Sequence, residues 1–177
     1  MSRMGRFDRP EELAAHLTQI AGIWNELLPD LDASGIQIFG RIDAVARNWM
    51  ALQREVLTPF GINYAELTTL GILRTTTPTP RRSPTELRGL VGQTSAGMTR
   101  ILDKLEAEGL ARRESAPDDG RRVDIVLSQS GKRLVEVAFR ALLVPQNELL
   151  ESLDPRHIEV TIGALDSLLA AFDRRRP

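Results

Sequence analysis

Residues 83–105 read Ser-Pro-Thr-Glu-Leu-Arg-Gly-Leu-Val-Gly-Gln-Thr-Ser-Ala-Gly-Met-Thr-Arg-Ile-Leu-Asp-Lys-Leu, and this stretch decides the fold. Ser83 and Glu86 have capping-box spacing around Pro84. A proline suits the first helical turn because the N–H it lacks has no intrahelical partner there, so a helix must start at this point. Leu87, Leu90 and Val91 are its apolar residues, and Gly92-Gln93 makes a turn. Thr94 or Ser95 caps a second helix, which stops at Gly109, a residue that tolerates the left-handed turn ending many helices. Within it Met98, Ile101, Leu102 and Leu105 recur at i, i+3, i+4 and i+7 and must face a core. The outward face then offers Ser95, Ala96, Thr99, Arg100 and Lys104.

Downstream the periodicity changes. Residues 110–114 can be extended, Asp118-Asp119-Gly120 signals a turn, and Val123, Ile125 and Leu127 alternate with period two. The pattern is a two-stranded hairpin with Arg121 and Arg122 near its tip. Upstream, Asn63 and Glu66 form another capping box, and Leu67, Leu70 and Leu73 continue as a short helix. Residues 75–82 are β-branched and proline-broken, without periodicity. Two short helices with a turn, followed by a basic-tipped hairpin, make a winged helix-turn-helix.

That arrangement suits a duplex. Small residues Ser95, Ala96 and Gly97 let the helix N-terminus approach closely, while Thr99 and Arg100 reach base edges, arginine being the favoured bidentate partner of guanine. The free N–H groups around Thr94 and Ser95 favour a phosphate. Arg121 and Arg122 follow the tight turn, where an arginine can enter a narrow minor groove, and Asp119 can orient Arg121. Arg112, Arg113, Lys132 and Arg133 flank the hairpin as candidate phosphate contacts. Arg81 and Arg82 read equally as solvated loop residues or as backbone contacts.

Long helices surround the lobe. Leu13, Leu17, Ile20, Trp24 and Leu27 define one stripe, with Asp8 and Pro10 placed to start it. Ile38, Ile42, Val45, Trp49, Leu52 and Val56 define a second. Ser128 or Ser130 begins a third, with Leu134, Val137, Ala141 and Val144 aligned and Pro145 expected to kink or end it. Asp154 and Pro155 start the last helix, striped by Ile158, Ile162, Leu165, Leu169 and Phe172. These stripes are too long for so small a lobe to cover, which predicts a homodimer.

Composition narrows the class. The 177 residues carry Lys+Arg 23 against Asp+Glu 24, with 42% apolar and 27% charged residues, an ordinary globular balance. Twenty-one of the basic residues are arginine and two are lysine. The near-neutral total hides an asymmetry: residues 81–133 hold 11 basic and 8 acidic residues, so the remainder is acidic. Without cysteine there is no disulfide framework, thiolate metal site or cysteine nucleophile. No apolar run approaches the roughly 20 residues of a membrane span, and the N-terminus lacks a signal-peptide core, so a cytoplasmic protein is expected. His16 and His157 have no partners at a meaningful spacing. No nucleophile elbow, P-loop, dinucleotide-binding glycine motif or zinc-protease motif is present, so no catalytic residue, metal site or cofactor is expected.

With Ser83 to Leu87, Thr94 to Leu105, Glu108-Gly-Leu110, Asp118 to Arg122 and Leu127 to Gly131 in this order, the chain resembles the MarR family of transcriptional regulators. The resemblance is dense over residues 63–133. It implies a homodimer whose first and last helices interlock, with Arg121 in the minor groove and Ser95 to Lys104 in the major groove. Many such proteins are repressors released by small phenolic or anionic ligands bound between dimer base and DNA-binding lobe. Redox-sensing members use cysteines, which this chain lacks. The helix over 11–28 precedes the usual first helix and is shared with only some members.

The expectation is therefore a mainly α fold with a small β-hairpin wing. Residues 1–62 and 129–177 would form a helical dimerisation base, and residues 63–128 the winged helix-turn-helix lobe. The expected partners are double-stranded DNA with a pseudo-palindromic operator, a second copy of the chain and a small-molecule effector, with no membrane. Candidate DNA contacts are Thr94, Ser95, Ala96, Gly97, Thr99, Arg100, Lys104, Arg112, Arg113, Asp119, Arg121 and Arg122. Candidate ligand contacts are Trp24, Arg41, Trp49 and Tyr64, the two tryptophans reading equally naturally as packing residues. Two alternatives stand beside the regulator: a helical interaction protein that keeps the fold without binding DNA, and a small-molecule enzyme.

Overall fold

The computed structural model describes residues 9–76, 80–116 and 122–175, divided between two units, Met1–Val56 and Leu57–Pro177. In the first unit, helix α1 spans Pro10–Leu27 and α2 spans Ser34–Leu57. Pro10 holds the first helical position, but the preceding Arg9 supplies no side-chain cap, and the expected cap Asp8 lies outside the described residues. Leu17 and Ala21 are the buried residues of α1. Gly40 on α2 admits Leu17, since a Cβ there would fall 2.5 Å from Leu17 Cδ2. Asp32 accepts from the Ser34 backbone N–H and hydroxyl, both at 2.8 Å, and these bonds hold its carboxyl below the usual range.

The second unit contains α3 (Tyr64–Thr75), α4 (Pro84–Val91), α5 (Ser95–Ala107), α6 (Gln129–Glu151) and α7 (Pro155–Asp173). Both expected capping boxes form: Asn63 with Glu66 begins α3, and Ser83 with Glu86 begins α4. The Ser83 hydroxyl and N–H, aided by Arg82, keep the Glu86 carboxyl below its ordinary value. Gly92 and Gly109 sit at φ of 70° and 67°, as their helix-ending positions require.

The sheet has one strand more than the expected hairpin. Strands β1 (Arg81–Arg82), β2 (Ala111–Ser115) and β3 (Val123–Leu127) run antiparallel in the order β1-β3-β2. Leu67, Leu70 and Leu73 of α3, Leu87 of α4 and Leu105 of α5 are fully buried, with Ile125 of β3 and Val135 of α6. Each such aliphatic side chain contributes about 1.5–3 kcal/mol on leaving water. Helix α3 is central to this core, packing against α4, α5, α6 and β3.

Two features of helix α6 narrow its expected reading. It continues through Pro145 to Glu151, so the lost backbone bond does not end it. Its buried residues are Gly131, Val135, Ala138 and Leu142. The stripe read from sequence lies elsewhere: Val137 and Val144 are more than half exposed. Two apolar faces share the helix, and periodicity alone could not say which one meets the core of its own chain. Helix α7 goes further. It is capped as expected, with Asp154 accepting from Arg156 N–H, yet it buries no residue at all.

Candidate nucleic-acid interface

Helix α5 is built by a short-range device. Thr94 Oγ1 accepts from Gly97 N–H at 3.1 Å, which starts α5 and presents its first turn outward. Met98, Ile101, Leu102 and Leu105 are buried as expected. Ser95, Ala96, Thr99 and Arg100 remain exposed, so the helix offers one apolar side to the core and one small, polar side to solvent. Thr99 donates to the Ser95 carbonyl at 3.0 Å and keeps its oxygen able to accept. Gly97 is hemmed in, a Cβ there lying 3.0 Å from Gln93 Oε1.

Arg88 had no place among the expected contacts, because α4 carries no signal beyond its cap and apolar residues. Its Nη1 donates to Ser95 Oγ at 2.9 Å, joining the two helices of the turn. Arg88, Ser95, Thr99 and Arg113 line a cavity of about 230 Å³ beside the start of α5.

Several expected contacts are engaged within the protein. Lys104 turns its ammonium away from the outward face, donating to the Gly61 carbonyl at 2.7 Å and to Glu66 Oε2 at 2.8 Å. Glu66 is only 4% exposed and also accepts from Asn63 N–H. The Lys104 ammonium thus pairs with a buried carboxylate that also caps α3. Arg113 reaches from β2 to α5, donating to Asp103 at 2.7 Å and to Glu106. The hydrogen bond to Asp103, supported by Glu106 against the effect of burial, raises the pKa of its guanidinium. Arg112 pairs with Glu114, and Arg122 stands with Nε 3.8 Å from Asp124 Oδ1. Asp119 and Arg121 lie outside the described residues.

Lys104→Met is therefore expected to lower stability by about 2 kcal/mol, because Glu66 stays buried without its cation, although Lys104 is itself partly solvated. Urea unfolding checks this, and a loss below about 0.5 kcal/mol would contradict the strut.

The candidate ligand contacts fall in both units. Trp24, Arg41 and Trp49 belong to the first unit, where Arg41 donates to the Gln37 carbonyl at 2.9 Å, while Tyr64 opens α3 in the second. Within the second unit a cavity of about 720 Å³ lies between α3 and α6, walled by Ile72, Val135 and Phe139 with Arg74 and Glu136 beside them. Arg74 donates to Glu136 at 2.7 Å. This cavity depends on a pairing of distant segments that periodicity does not show. Among the described residues, no helix is long and apolar enough to cross a membrane.

Comparison with known proteins places this geometry. A model of the MarR family matches residues 60–122. An HTH-type transcriptional regulator of Mycobacterium leprae is 37% identical over 76 residues, covering 43% of this chain and 53% of that protein. A Mycobacterium tuberculosis protein is 28% identical over 87 residues, or 49% of this chain. The matched stretch thus spans only 53–61% of these relatives' lengths. Among solved structures, apo MarR from E. coli shares 25% identity at a TM-score of 0.60, covering 72% of this chain and 93% of that one. MepR from S. aureus, crystallised with DNA, shares the fold at 22% identity and a TM-score of 0.67, covering 73% and 94%. With the cap at Thr94, the buried face of α5 and strands β1 and β2 within the matched residues and β3 directly after them, residues 60–122 of this chain are similar to the MarR family of transcriptional regulators.

Proposed function

We propose that the protein is a homodimeric, sequence-specific DNA-binding regulator, a repressor released by a small aromatic or anionic ligand. The observation that carries this reading is the exposed face of α5, where Ser95, Ala96, Thr99 and Arg100 form a small, polar surface on a helix anchored from behind. Such a surface fits the major groove, with Arg100 reading a base edge. Arg121 and Arg122 supply the wing contacts, with Asp119 orienting Arg121. Lys104 and Arg113, already ion-paired, act by fixing α5. The MepR–DNA complex supports this reading by fold.

Selection of duplexes from a random pool tests the proposal. A pseudo-palindrome with half-site centres about 10 bp apart, one helical turn, is expected. Arg100→Ala should cost about 1–3 kcal/mol at one base position and relax preference there. Recovery of no sequence preference by the wild-type protein would refute the reading, and would favour the helical interaction protein.

Trp24, Arg41, Trp49 and Tyr64 stand as candidate effector contacts, and the α3–α6 cavity is a second candidate place for the effector. Its apolar wall of Ile72, Val135 and Phe139 suits a ring, and Arg74 suits a carboxylate or phenolate. The observations give no comparable support to an enzyme.

A further inference from the structure

Strands β2 and β3 place two acids directly opposite each other: Glu114 is the register partner of Asp124. Like charges at opposed positions weaken a strand pair, and Asp124 is only 5% exposed, where water screens little. The third strand relieves this. From β1, at the far edge of the sheet, Arg81 reaches across the middle strand, with Nη2 3.2 Å from Glu114 Oε2 and Nη1 4.0 Å from Asp124 Oδ2. Arg112 holds Glu114 from its own strand, and Arg122 faces Asp124. Arg81 addresses both acids and ties all three strands. Just beyond them, Ala116 N–H donates to the Arg122 carbonyl at 2.8 Å, closing the base of the hairpin.

We propose that Arg81 is a positioning residue for the wing, neutralising the Glu114–Asp124 pair so that strands β2 and β3 and the Arg122 side chain are held in one orientation. It acts without touching DNA. Its effect on DNA binding rests on the regulator reading above; its effect on the hairpin does not.

The experiment uses the full chain as wild type, Arg81→Ala, and Arg81→Ala combined with Glu114→Gln. Two quantities are measured: amide hydrogen exchange in peptides covering β2 and β3, and affinity for a duplex selected on the wild-type protein, across a range of salt. Arg81→Ala should speed exchange in both strands and weaken binding about tenfold, with the slope of log K against log salt unchanged because no phosphate contact is lost. Adding Glu114→Gln should restore most of both, since only one acid then remains. A slope smaller by about one would overturn the proposal by making Arg81 a direct phosphate contact. Unchanged exchange, or a double variant no better than Arg81→Ala, would overturn it too. If the wild-type protein selects no duplex, the regulator reading fails, and exchange and its rescue still decide the role of Arg81.

Discussion

Gly131→Ala is expected to destabilise the second unit by about 3 kcal/mol, the upper part of the usual range for overpacking. A Cβ at this position would fall 2.1 Å from the Leu110 carbonyl oxygen and 2.9 Å from Leu127 Cδ1. The first contact is with backbone, so no rotamer change can relieve it. The crowding arises because Ser128, the N-cap of α6, clamps this crossing, its hydroxyl accepting from Gly131 N–H at 3.0 Å and its own N–H donating to the Leu110 carbonyl at 3.1 Å. An alanine must push α6 away from β2 and loosen Val135 and Ala138 behind it. Urea or thermal unfolding followed by circular dichroism checks this, and a change under 1 kcal/mol would show that the crossing yields. Gly22, with nothing within 4 Å of its missing Cβ, is the natural control, since alanine is the better helix former.

On the proposed homodimeric regulator reading, the paired substitution Leu165→Asp with Leu169→Asp should yield a monomer and reduce affinity for a two-half-site duplex by at least about a hundredfold, because linked half-site binding is lost. Leu165 and Leu169 are 43% and 67% exposed on a helix that buries no residue. Their removal therefore leaves the core of a single chain untouched, and the circular dichroism spectrum should be preserved. Exposed Val137, Leu143 and Val144 on α6 enlarge the apolar surface available to a second copy. Sedimentation at micromolar concentration reads the result, and an unchanged sedimentation coefficient would remove these residues from the interface.

Local signals were the legible part of this fold. The capping boxes at Asn63 and Ser83, the cap at Thr94 and the glycines ending α4 and α5 act within a few residues, and each forms where the sequence places it. What escaped depends on distant segments. Strand β1 has two residues, too few for any alternation, and exists by pairing with Val126 and Ile125. Lys104 and Arg113 look like groove contacts on a helical wheel and in a strand, but the acids that claim them are Glu66, 38 residues from Lys104, and Asp103, ten from Arg113. On α6 the stripe read from sequence is largely exposed, and Val135, Ala138 and Leu142, an equally regular set one residue away, meet the core of its own chain. A cavity formed by α3 and α6 requires both helices to be placed before it exists.

Both tryptophans of the chain, Trp24 and Trp49, belong to the Met1–Val56 unit. Indole emission therefore originates on α1 and α2. Unfolding followed by fluorescence and by circular dichroism would give coincident curves only if the two units melt together.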